Sequence, residues 1–166
     1  RSVKAIRAVN PNITLVISGM KTGPDNAINY IKDVQRAMGG NLGVDAIAYH
    51  PYGRYIQFDP FYEKQFGTMP DAFNLFRNAF PNIPLWITEI GIANDTPLGP
   101  EHYEKIARYI SEVVNEVAKN QGDLIPVLIW FAWSDVMREA GIIDRSGRMK
   151  AHIGEAYQEM INLSAP

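Results

Sequence analysis

The 166 residues contain no cysteine, which excludes a disulfide scaffold, a thiolate metal site and a thiol nucleophile. That absence fits a secreted protein without requiring one. Charge is sparse as well. Asp, Glu, Lys and Arg make up 20% of the chain and the net charge is −2, with no basic run to bind phosphate, nucleic acid or a membrane surface. No apolar stretch approaches the roughly 20 residues of a membrane-spanning helix, and no signal peptide opens the sequence. A glycine-rich dinucleotide fingerprint after a strand is also missing. The one candidate, Gly39-Gly40-Asn41-Leu42-Gly43, precedes a strand and reads as a helix cap. The chain starts at Arg1, inside what reads as a helix, so the expectation is a piece of a longer protein.

What remains is ordinary globular material. Apolar residues are 46% of the chain, enough for one good core, and residues 1–166 are read as a single domain. Val3 to Val9 reads as the end of a helix, and Ile13 to Ile17 as a buried strand ending at Ser18-Gly19. Asn26 to Met38 has helical periodicity and stops at Gly39-Gly40. Val44 to His50 is a second strand, Met69 to Phe80 a helix, and Leu85 to Glu89 a third strand. Pro100 opens a long amphipathic helix over Glu101 to Asn120. Pro126 to Phe131 is the fourth strand, Asp144-Arg145-Ser146-Gly147 a tight turn, and Ala151 to Leu163 a terminal helix.

Strands recurring every 30 to 40 residues or so fit successive βα units of a parallel sheet, either doubly wound or a (β/α)₈ barrel. Polar and aromatic residues cluster just after each strand, where barrels build their sites. Both are α/β, and the clustering points to the TIM barrel reading. A complete barrel takes about 250 residues, so about four βα units make half of one.

The segment Leu85-Trp86-Ile87-Thr88-Glu89-Ile90-Gly91 is an apolar, β-branched run that delivers a carboxylate and then a glycine. With Ala48-Tyr49-His50-Pro51-Tyr52 before it and Trp130-Phe131-Ala132-Trp133-Ser134-Asp135 after it, it resembles strands seven, six and eight of the clan A retaining glycoside hydrolases. The tail from Gly141 to Lys150 is similar to the turn leading into their last helix. The resemblance covers nearly the whole chain, as the C-terminal half of the barrel from strand five onwards.

Retaining glycosidases hold two carboxyl groups about 5 Å apart: one attacks the anomeric carbon, and the other protonates the leaving oxygen. By position Glu89 resembles the nucleophile; otherwise it is a solvated strand-end glutamate. The resemblance makes His50 a partner of the nucleophile or of a sugar hydroxyl, against the alternative of a core histidine satisfied by backbone. Tyr52 is a further substrate-binding candidate. Trp133 is read as closing the last strand and, by resemblance, as the platform under the cleaved sugar, with a non-proline cis peptide expected at Trp133-Ser134. Trp130 lies deeper, and Trp86 has strand parity opposite to Glu89, so both are read as packing residues. Asp135, Arg138, Asn94 and Asp95 fall in loops on the same face and read as surface salt-bridge residues, with binding of sugar hydroxyls as the alternative. The aromatics of the loop from Arg54 to Thr68, namely Tyr55, Phe58, Phe61, Tyr62 and Phe66, are expected to shape subsites. No metal or cofactor is expected, since His102 and His152 lie on helices without ligand spacing.

The general acid is the gap. In the resembling families it is a glutamate after an asparagine at the end of strand four, and no such pair precedes Ile13. Asn115-Glu116 lies within a helix, and the loop carboxylates Asp25, Asp59 and Glu63 are the substitute candidates. Taken alone, this chain is not expected to hydrolyse glycosides at an enzyme's rate, because general acid catalysis contributes about 10²- to 10⁴-fold. Both edge strands would also leave backbone and apolar side chains unpaired, calling for a missing N-terminal half barrel, a second copy or repacked helices. The leading expectation is a retaining glycoside hydrolase acting on a carbohydrate. The alternative is a non-catalytic carbohydrate-binding or half-barrel assembly module.

Overall fold

The computed structural model describes residues 2–20, 22–52, 68–92, 99–120, 122–136 and 141–163. Within them α1 (Ser2–Val9) leads to β1 (Val16–Met20), α2 (Pro24–Ala37), β2 (Ala46–Tyr49) and α3 (Met69–Ala79). Then come β3 (Leu85–Ile90), α4 (Tyr103–Asn115), β4 (Val127–Trp130) and α5 (Ile153–Leu163). The four strands form one sheet in the order β1-β2-β3-β4, every pair parallel. Sequential parallel order with a crossover helix after each strand is the pattern of one arc of a (β/α)₈ barrel.

Local chemistry accounts for the element ends. Thr68 and Asp71 form a capping box that opens α3: Asp71 N donates to Thr68 Oγ1, while Asp71 Oδ2 accepts from the Thr68 backbone. Pro24 and Pro100 stand at helix starts, where the missing N–H costs nothing. β1 begins three residues later than the sequence reading and runs through Met20. The reason lies in Asp45. Its carboxylate accepts from Leu15 N at 2.6 Å and from the Arg7 guanidinium, fixing this stretch to a side chain before the ladder begins. Leu15 N, then Arg7, hold the Asp45 carboxyl below its ordinary range. The long helix after Pro100 is also divided. A 3₁₀ turn over Pro100–His102 precedes α4, and a π turn over Glu116–Asn120 follows it.

The two faces of the sheet have different fates. Rows of register partners Ile17, Ile47 and Leu85, and then Met20, Tyr49, Ile87 and Leu128, face the helices. They pack against Ile28 and Ile31 of α2, Phe73 and Phe76 of α3, and Ile106 and Ile110 of α4. The intervening row of Ala48, Trp86 and Val127 faces the other way. There Trp86 and Val127 are only half-buried and Ile129 is 49% exposed. In a closed barrel that face is the interior, filled by layers of side chains from all the strands. Four strands leave it open.

Candidate active site

The register between strands slips twice, both times near the C-terminal end of the sheet. Between Ile17 and Met20, β1 spends three residues where β2 spends two, and β3 does the same against β4 between Ile87 and Ile90. An extra residue in a strand inverts the facing of everything after it. Burial along β3 records the change: Leu85 and Ile87 are buried and Trp86 and Thr88 half-buried, but then Glu89 is half-buried and Ile90 buried. The irregularity therefore releases Glu89 from the helix-facing core and places it on the open face, following Thr88. It also corrects the parity reading of Trp86. The core takes Leu85, Ile87 and Ile90 from this strand, and Trp86 shares the open face with Glu89.

Residues at the end of β2 converge on this carboxylate. The Tyr52 hydroxyl donates to Glu89 Oε1. His50 Nδ1 lies 3.5 Å from Glu89 Oε2, and its Nε2 lies 3.0 Å from Thr88 Oγ1. Because β3 is irregular here, one imidazole touches the side chains of two consecutive residues. The Glu89 side chain keeps 34% of its surface exposed, so both oxygens are held while the group stays open to a ligand. Phe131, just past β4, meets the Tyr52 ring edge-on at 6.3 Å. Thr88 and Phe131 escaped the sequence reading. No pattern in the sequence singles out Thr88, and Phe131 reads only as the last residue of its strand.

The remaining candidates disperse. β4 ends at Trp130, so Trp133 lies beyond the strand on the following loop, 55% exposed, with its ring 6.1 Å from Tyr157 of α5. The non-proline cis peptide joins Phe131 and Ala132, two residues before the expected Trp133-Ser134. Trp130 is buried beside Tyr109, as expected of a packing residue. Burial raises the affinity of the Tyr109 hydroxyl for its proton.

Asp135 overturns its reading as a surface residue. It is buried, accepts from Gly141 N at 2.9 Å, and pairs with the equally buried Lys150 at 2.5 Å. This pair pins the loop after β4 to the strap ahead of α5. Asn94, Asp95, Arg138, Asp59, Glu63 and the aromatics Tyr55, Phe58, Phe61, Tyr62 and Phe66 lie outside the described residues. Asp25 is exposed in the first turn of α2, and Asn115-Glu116 closes α4. Among the described residues no three His, Cys, Asp or Glu side chains gather in a way that could hold a metal ion.

Comparison with known proteins gives the family and the fold. The family model described as "Glycosyl hydrolase catalytic core" matches residues 3–157. No curated protein matches the chain. Among solved structures, a GH128 (subgroup I) endo-β-1,3-glucanase from Amycolatopsis mediterranei, in complex with laminaritriose, is 20% identical with a TM-score of 0.65. The match covers 95% of this chain and 65% of that one. A GH128 (subgroup II) endo-β-1,3-glucanase from Pseudomonas viridiflava is 19% identical at a TM-score of 0.63, covering 99% and 59%. A thermostable mutant of a xylanase from Cellvibrio japonicus is 14% identical at a TM-score of 0.65, covering 99% and 53%. The likeness is one of fold: α/β, part of a TIM barrel. The chain spans less than two thirds of the glucanases' length and about half of the xylanase's.

Proposed function

Since the chain belongs to the glycosyl hydrolase catalytic core family, we propose that it supplies the nucleophile side of a retaining glycosidase, with Glu89 as the attacking carboxylate. One observation carries the reading. Glu89 is turned out of the core at the C-terminal mouth of a parallel sheet, with Tyr52 and His50, just past the neighbouring strand β2, on its two oxygens. In that mechanism Glu89 attacks the anomeric carbon and forms a glycosyl–enzyme ester, which water then cleaves with the configuration retained. Tyr52 and His50 orient the carboxylate and, in the complex, contact sugar hydroxyls. Trp133, exposed and braced by Tyr157, offers an aromatic face for a pyranose.

The general acid, in this proposal, comes from outside the 166 residues, on the strands that complete the barrel. Two features support this. No Asn-Glu pair stands at a strand end, and the one Asn-Glu pair in the chain sits where α4 ends. The open face with Trp86, Val127 and Ile129 also requires a cover, which we assign to the N-terminal half of the same barrel, making the chain its C-terminal half and a single folding unit. A second copy of the chain is the other candidate cover. The substrate is a β-linked oligo- or polysaccharide. The glucanases and xylanase named above make laminari- and xylo-oligosaccharides the first to assay.

The test is product stereochemistry in the completed barrel. Proton NMR of early products should show the β-anomer from a β-glycoside, and Glu89→Gln should abolish the activity. Immediate formation of the α-anomer, or full activity of the variant, would refute the mechanism.

A further inference from the structure

We propose that Gly19 is a positioning residue for Glu89 and acts through His50. A Cβ built on Gly19 would clash with the Nε2 end of the imidazole, well within contact distance of Nε2 and 2.7 Å from both Cδ2 and Cε1. The backbone there is not in the left-handed region, so the position does not need glycine for its conformation. What it needs is the empty volume. Gly19 lies in the stretch where β1 slips register against β2, one strand away from His50, and the His50 backbone N–H is tied to Met20 O at 3.0 Å. The Nε2 end of the ring thus sits against Gly19 and meets Thr88 Oγ1, while Nδ1 reaches Glu89 Oε2.

Neighbouring strands lie about 4.8 Å apart, so side chains at their ends compete for the same space. An alanine at 19 would push the imidazole off its seat, and the push is transmitted to the two atoms that the ring holds. The irregularities in β1 and β3 work as a pair: the first clears room for His50, and the second turns Glu89 to meet it. The functional consequence rests on reading Glu89 as the working carboxylate; the steric seat does not.

The test uses the isotope-labelled 166-residue chain with Gly19→Ala, His50→Ala and the double variant. Gly19→Ala should stay folded, with a melting temperature within about 4 °C of the parent. Its His50 ring nitrogens should shift while those of His102 and His152 stay put. The Glu89 carboxyl carbon should move in each single variant, and the double variant should match His50→Ala with no further change. A folded Gly19→Ala with parental His50 and Glu89 signals overturns the proposal, as does an additional Glu89 shift in the double variant. If Gly19→Ala fails to fold, the double variant decides: recovery to the level of His50→Ala supports the steric seat, and failure of both overturns it. None of these signals requires hydrolysis. Loss of the glycosidase reading would therefore leave this result standing, and the reverse.

Discussion

The Tyr52 hydroxyl donates to Glu89 Oε1 across 37 residues of sequence, joining the exit of one strand to the end of the next. A hydrogen bond to a charged group is worth about 1.5–3 kcal/mol. Removing it with Tyr52→Phe should lower kcat/KM of the completed barrel about 10- to 100-fold, since each 1.4 kcal/mol is a factor of ten. The Tyr52 ring also packs against Phe131, and the phenylalanine keeps that contact. Thermal stability should therefore change little. A fall in stability with unaltered kinetics would make Tyr52 a packing residue.

The open sheet face predicts association. Trp86, Val127 and Ile129 present apolar surface on the face that a barrel would enclose, and β1 and β4 are edge strands. The isolated chain should run as a dimer or larger species in size-exclusion chromatography with light scattering. Ile129→Lys should move it toward monomer. A well-behaved monomer from the parent sequence would contradict the half-barrel account.

Asp135 and Lys150 form a buried pair, and removing one partner of such a pair costs about 3–5 kcal/mol by stranding the other charge. Lys150→Met should lose that much in chemical denaturation. Adding Asp135→Asn should recover most of it, because an amide oxygen still accepts from Gly141 N while the stranded charge is gone.

Asp144 organises the turn before α5. Its carboxylate accepts from the Ser146 hydroxyl and from the Ser146 and Arg148 backbone, and these bonds, the Ser146 hydroxyl first, hold its pKa at about 2. A lowered carboxyl pKa contributes stability that is complete above the ordinary value of 3.8 and is lost as pH falls towards 2. The Ser146 and Arg148 amide signals should hold steady down to pH 4 and titrate with a midpoint near 2, and Asp144→Asn should remove that step. A midpoint at 3.8 would show that the bonds do not form in solution.

Much of this architecture is legible in the residues. Apolar β-branched runs ending in polar residues mark β2 and β3, and the helix stops at Gly39-Gly40 mark α2, because local patterning alone sets those features. The strand count and order follow from even spacing. What patterning misses is phase. A strand reading assumes strict alternation, and the slip between Ile87 and Ile90 breaks it at the residue that matters. That is why Trp86 looked opposed to Glu89, and why Thr88 drew no notice. Asp135 reads as a surface charge because its partner Lys150 lies 15 residues further along, beyond the Asp144 turn, and residue types alone do not pair the two.

The most direct measurement is covalent trapping of the completed barrel with a 2-fluoro glycoside of a laminari- or xylo-oligosaccharide, followed by peptide mass spectrometry. The account predicts one adduct, on the peptide containing Glu89, which is lost in Glu89→Gln. A protein that binds the sugar and stays unlabelled, or that carries the label on another carboxylate, would contradict it.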